Sequence, residues 1–277
     1  MVSLFLAILC SAAIALVLKF SEVSGKNRYR VTTINYLVAF SASGVAALLS
    51  LPPIDAVFFP SWFGILTGFL FVGSFVFYQL CIAKSGAGLS GTFGKMGILI
   101  PAFLSLLVWK EFPSQWQWMG VGFALLAILL VTFPGRRSQK GFHALLLVLL
   151  LLNGFAEFFN KVFQKFAAPG TEQLFLFWVF FSAFVISLLL SRKSQAPSRS
   201  YKDWITGFFV GVPNLLSSFF LIRSLNQLSA TVVFPVYSAG SAAVIILGSR
   251  LFFSEKLSPL QWSAVGAGII SLVLANL

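Results

Sequence analysis

Lys95 and Glu157 stand inside long apolar runs, where a charge is out of place unless it is used or paired. Carrying a lysine near the middle of a bilayer costs about 2.5–3.5 kcal/mol on insertion scales, and intramembrane ionisable residues are functional by default. Lys95 lies in Gly91-Thr92-Phe93-Gly94-Lys95-Met96-Gly97. Its glycines leave room for a close helix or ligand, and Pro101, six residues on, removes a backbone bond that something else must satisfy. Three readings are open for Lys95: a fixed cation that binds an anionic group in a central cavity, a side chain that snorkels back to the membrane face, or one half of a structural ion pair.

Glu157 belongs to a polar stripe, Asn153, Glu157, Lys161 and Lys165, spaced by four residues and therefore close to one helical face. Either Glu157 and Lys161 form an ordinary pair one turn apart, worth about 0.2–0.5 kcal/mol if exposed, or Glu157 exchanges a proton as the coupling site and faces Lys95 across the cavity. Asn35, Tyr36, Tyr78, Gln79, Asn153, Asn214 and Tyr237 could hydrogen-bond a polar ligand, though a buried Asn or Tyr also bridges helices. Trp178 completes the set of candidate binding residues, against the plainer reading that it packs or faces lipid, as the many phenylalanines do.

The elements that must hold these residues are membrane spans. Of 277 residues 58% are hydrophobic and 9% charged, whereas a soluble domain carries roughly a quarter of its residues charged. Apolar stretches of spanning length fall at 2–18, 32–50, 62–83, 88–108, 116–133, 142–160, 171–190, 204–222, 230–250 and 260–276. Runs such as Ala144 to Leu152 are apolar on every face, which argues for helices over an outer-membrane barrel. The net charge of +12 does not imply nucleic acid, because the basic residues lie in the connections and no soluble face remains to carry them. They report topology instead. Fourteen of them (Lys19, Lys26, Arg28, Arg30, Lys84, Arg136, Arg137, Lys140, Arg192, Lys193, Arg199, Lys202, Arg250, Lys256) fall in odd connections and four (Lys110, Lys161, Lys165, Arg223) in even ones. The preference of Lys and Arg for the cytoplasm then places both termini outside.

The first span has no basic leader, and Cys10 follows Leu9 rather than the small residue that precedes a lipidated cysteine, so the span is expected to stay as a membrane helix. Cys10 and Cys81 suit packing rather than redox or metal chemistry, and no cofactor is expected. His143 stands alone, without a paired aspartate, a metal-ligand cluster or a serine arrangement, which argues against an enzyme.

The chain also repeats itself. Thr67-Gly68-Phe69 returns as Thr206-Gly207-Phe208, and Lys84/Arg223, Ser85/Ser224, Leu89/Leu228, Ser90/Ser229 and Thr92/Thr231 keep the same offset of 139. From Glu111/Glu255 onward the offset is 144, through Ser114/Ser258, Gln117/Gln261, Trp118/Trp262 and Gly122/Gly266. Five spans per half put the second copy into the membrane from the opposite side, so the expected fold is all-α, ten transmembrane helices in two inverted five-helix repeats, 1–135 and 136–277. A substrate site is then expected where the halves meet. Glu111 and Glu255 are expected to hold turns or cap the next helix. The small residues Gly120, Gly122, Ala124, Ala264, Gly266 and Gly268 are expected to bring the last helix of each half together.

Both halves end in an acidic residue, a short turn, a Gln-Trp pair and a glycine-containing helix. In this the chain resembles the EamA-like transporters of the drug/metabolite transporter superfamily, and the five-plus-five layout extends the likeness over the whole chain. Lys19-Phe20-Ser21-Glu22 is similar to the end of the first helix of the small multidrug resistance exporters, relatives that carry a membrane-embedded glutamate eight residues earlier, where this chain has Ser11. Their glutamate-driven antiport is therefore not carried over to this half. The resemblance implies a multi-pass carrier of the bacterial inner membrane whose partners are a small-molecule substrate, the lipid bilayer and protons. Lys95 tilts the expected substrate toward an amino acid or other organic acid; a flippase for lipids or lipid-linked sugars is the alternative.

Overall fold

A computed structural model describes residues 2–23, 28–50, 54–85, 93–94, 96–132, 144–193, 201–254, 257–275 and 277. Among the described residues there is no strand. The helices are α1 (Val2–Val23), α2 (Arg28–Ser50), α3 (Phe58–Ser85), α4 (Leu99–Trp109), α5 (Gln115–Thr132), α6 (Ala144–Phe166), α7 (Glu172–Lys193), α8 (Tyr201–Leu225), α9 (Ala230–Phe253) and α10 (Pro259–Leu274), with a short 3-10 turn at Ile54–Ala56 before α3. Seven of them, α1 to α3 and α6 to α9, are long and apolar enough to cross a membrane, while α4, α5 and α10 are apolar but shorter. Helices are the expected outcome of such sequence, because a backbone in lipid must satisfy its own polar groups.

The fourth span is the one whose described helix differs most from its expected range of 88–108. Pro101 has no N–H to offer the Gly97 carbonyl four residues back. The Ile100 N–H takes that carbonyl instead, at 3.0 Å, while the Gly97 N–H still bonds Phe93 O at 3.1 Å. One turn is tightened and α4 proper starts only at Leu99.

The helix α9 forms the centre. Its run Ser238-Ala239-Gly240-Ser241-Ala242-Ala243 has almost no side-chain bulk, so α1, α4, α5 and α10 all pack on it. A Cβ on Gly240 would stand 2.7 Å from the tip of the Ile8 side chain, which would have to move aside. A second core is aromatic: Phe63 of α3 stacks on Phe159 of α6 at 5.0 Å, and Phe163 of α6 stacks on Phe175 of α7 at 3.9 Å.

The neighbours nearly repeat when α1–α5 are exchanged with α6–α10. Packing of α1 on α8 and α9 is matched by α6 on α3 and α4, and that of α2 on α8 by α7 on α3, while α2 meets α7 and α5 meets α10. Details agree as well. Thr67 donates to Phe63 O at 2.8 Å and Thr206 to Lys202 O at 2.9 Å. A Cβ on Gly68 would run into Ser182 and Val179 O, and one on Gly207 would meet Ile34 at 2.5 Å. Among the described residues two other than glycine have positive φ, Lys110 at 53° and Ser254 at 52°, each directly after its helix and 144 positions apart. The repeated serine and glutamine form reciprocal capping boxes, Ser114 with Gln117 at 3.1 and 3.3 Å and Ser258 with Gln261 at 2.8 and 3.3 Å. The glycine expectation needs a correction. Gly120 does touch the end of α10, but Gly122 and Gly266 face open space and mediate no approach.

Candidate functional site

Polar residues on apolar helices are affordable only where they face one another or a cavity, and here five elements turn theirs toward one space of about 410 Å³. Asn153 and Glu157, one turn apart, come from α6; Tyr36 from α2; Ser74 and Tyr78 from α3; Tyr237, Ser238 and Ser241 from α9; and Ser11 from α1. Phe71, Phe75, Ile98, Leu149 and Ile245 supply apolar wall, and Gly94 closes the side next to α4. The cavity is lined by the middle of α9 (237–245), by 149–157 of α6 and by 71–78 of α3, so it lies near the middle of the bundle, displaced toward the end where α6 begins and α3 ends.

Asn153 anchors this wall. Its Nδ2 donates to Gly94 O at 2.6 Å, and its Oδ1 accepts from Ser74 Oγ at 3.2 Å. Three segments far apart in sequence are thereby fixed around one side chain. Across the cavity the Tyr237 hydroxyl and Ser217 Oγ share a hydrogen bond of 2.9 Å, and Ser217 also donates to Ala7 O at 3.2 Å, joining α9, α8 and α1. Glu157 accepts from Asn160 Nδ2 at 3.0 Å. A carboxylate answered by one neutral amide keeps lone pairs free for a ligand or a proton.

Lys161 does something else. The expected pair with Glu157 is not made: Lys161 Nζ binds Glu111 Oε1 at 2.7 Å instead, with the lysine side chain only 2% exposed. Glu157 and Lys161 are one turn apart, but the carboxylate arriving from the end of α4 offers Lys161 a full counter-charge. The other Glu111 oxygen accepts from Ala230 N at 2.9 Å, so Glu111 caps α9 rather than the helix that follows it in sequence. Lys161 also donates to Gln164 Oε1 at 2.9 Å, Gln164 Nε2 donates to Asn226 Oδ1 at 2.8 Å, and Trp109 places its ring 5.8 Å from the cation. This network sits one turn beyond Glu157 and joins the ends of α4, α6 and α8 to the start of α9. Lys19, toward the opposite end, lies 5.1 Å from the ring of Phe253, the residue 144 positions after Trp109, and donates to Ser249 Oγ at 3.0 Å.

Tyr36, Tyr78, Asn153, Tyr237 and Glu157 are thus brought to one cavity. Asn35 and Asn214 are not; they bond each other at 3.1 Å and tie α2 to α8. Trp178 packs on Phe177 and Phe181 in α7, away from the cavity. Lys95 and Glu255 lie outside the described residues, as does the side chain of Gln79. Ser11, Ser74, Ser238 and Ser241 were not among the sequence candidates. Ser11 had a signal, since it occupies the place of the exporters' membrane glutamate; single serines in apolar runs otherwise carry none, because they bond the preceding turn as readily as a ligand.

Comparison with known proteins adds the following. Residues 142–277 match the EamA-like transporter family. An uncharacterized protein of Haemophilus influenzae is 22% identical over 278 residues, covering 95% of this chain and 93% of its own length. One protein of known crystal structure shares the fold with a TM-score of 0.76 at 15% identity, covering 99% of this chain and 96% of the other.

Proposed function

Because the chain belongs, through residues 142–277, to the EamA-like transporter family of the drug/metabolite transporter superfamily, we propose that it is a secondary carrier moving a small polar metabolite by alternating access through the cavity at Glu157. The observation that carries this reading is the placement of Glu157, a carboxylate held by a single amide in a polar space lined by helices from both halves of the chain. The near-exchange of α1–α5 with α6–α10 supports ten spans in two inverted repeats, and the basic connections support cytoplasmic loops with both termini outside, in a bacterial inner membrane.

Glu157 is the coupling residue. It gives up its proton to one face and regains it from the other, and bound substrate favours one of the two charge states. Tyr36, Tyr78, Asn153 and Tyr237 orient the substrate by hydrogen bonds, and Lys95, which directly follows the wall residue Gly94, holds its anionic group. A zwitterion such as an amino acid satisfies both requirements, with its ammonium toward Glu157. The ion pair of Lys161 and Glu111 marks the closed side, so the cavity is drained through the face where α6 begins.

The test uses purified protein in liposomes and a panel of labelled amino acids and organic acids. Glu157→Gln is expected to keep counterflow exchange at equal pH while losing accumulation driven by a pH gradient, since a permanently neutral group cannot carry the proton. Lys95→Gln is expected to remove both. Gradient-driven accumulation by Glu157→Gln at the native level would discard the coupling role.

A further inference from the structure

Beyond transport, the fold has a lipid-facing groove whose chemistry specifies an occupant. Between α1, α8 and α9 runs a space of about 510 Å³ with almost wholly apolar walls, among them Leu16, Phe20, Phe209 and Phe252. It opens at the membrane face where α1 and α9 end and α8 begins. That face is the headgroup level, because Tyr201 and Trp204, 69% and 49% exposed, stand in the first turn of α8 as interfacial aromatics do. Two cations flank the mouth. Lys202 is exposed one turn ahead of the wall residues Ile205 and Thr206, on the same side of α8. Lys19 lies beside the ring of Phe253, itself part of the wall. The carboxylate in that turn, Asp203, is buried, about 100° round α8 from Lys202, on the row with Gly207 that packs against α2.

We infer that this groove holds one acyl chain of an anionic phospholipid, with the phosphate of its headgroup at Lys202 and Lys19. An apolar slot alone would take any acyl chain. The paired lysines and the amide-rich first turn of α8 add a preference for negative charge at the one depth where a headgroup sits. The lipid would staple the end of α1 to α8 and α9 from outside, at a seam where side chains leave the wall unfilled.

The test needs no substrate. Delipidated protein in a neutral detergent is titrated with phosphatidylglycerol, with phosphatidylcholine of the same acyl chains, and with glycerol phosphate, which has the charge but no chain. Thermal melting and native mass spectrometry are the readouts. Phosphatidylglycerol alone is expected to raise Tm and to stay bound. Lys202→Gln, at an exposed position, should weaken its retention on the order of five-fold, and Ala13→Phe, which fills the groove, should abolish the response while leaving the lipid-free Tm unchanged. Equal stabilisation by phosphatidylcholine would overturn the charge preference, and stabilisation by glycerol phosphate would mean that a free phosphate suffices. An undiminished phosphatidylglycerol response in Lys202→Gln would remove the site from this groove even if Ala13→Phe failed to fold.

Discussion

Glu157 and Lys161 sit one turn apart on α6 and live in different worlds. Glu157 opens onto the cavity with one neutral amide for company, while Lys161 is 2% exposed and locked to a carboxylate, an amide oxygen and an aromatic ring. Both are ionisable, yet one keeps lone pairs open toward the cavity and the other is fully engaged. A group that must exchange a proton or a ligand cannot be fully paired, and a group that holds helices together cannot be left open.

The sharpest way to break this contrast is Lys161→Met, which strands Glu111. Removing one member of a buried pair costs about 3–5 kcal/mol, so folded protein in the membrane should fall steeply, read by detergent melting. Adding Glu111→Gln should recover most of the loss by removing the unpaired charge. Independent effects of the two substitutions would mean that the pair holds nothing. A middle effect belongs to Asn153→Leu on the same stripe, which cuts the bonds to Gly94 and Ser74 and leaves the Gly94 carbonyl to find another donor. About 1–3 kcal/mol is expected, together with loss of transport as the wall next to α4 loosens. The smallest effect is assigned to Glu157→Gln, whose melting should shift by less than about 1 kcal/mol, because the amide can still accept from Asn160. A collapse as large as that of Lys161→Met would place Glu157 among the structural residues and erase the distinction.

The sequence carried the stripe but not this division of labour. Helical spacing put Asn153, Glu157 and Lys161 on one face, and polar residues in apolar runs pointed to Tyr36, Tyr78 and Tyr237, which do share the cavity. Which cation met which anion was decided by Glu111, fifty residues away along the chain and brought in by the turn at Lys110. Periodicity cannot see such a partner. For the same reason Asn35 and Asn214 stayed open between ligand binding and helix bridging, and it is their mutual bond, spanning 179 positions, that ties α2 to α8. Trp178 was indistinguishable from a ligand contact because aromatic content is high everywhere in this chain. The recurring residue pairs were the most legible feature, since Ser114/Ser258 and Gln117/Gln261 recur as residue types and close the same capping box.

The anchoring of the cavity wall by Asn153 also sets a clock on biogenesis. Gly94 and Ser74 leave the ribosome before the amide that holds them, and 59 residues separate Gly94 from Asn153. At roughly 5–20 residues per second this is an interval of about 3–12 seconds. During it the newly inserted first helices hold hydroxyls and an interrupted backbone turn at a depth where lipid offers no hydrogen bonds. The young chain must therefore keep water, the insertion machinery or its own turns against those groups until the sixth helix arrives, and only then does the wall become a wall.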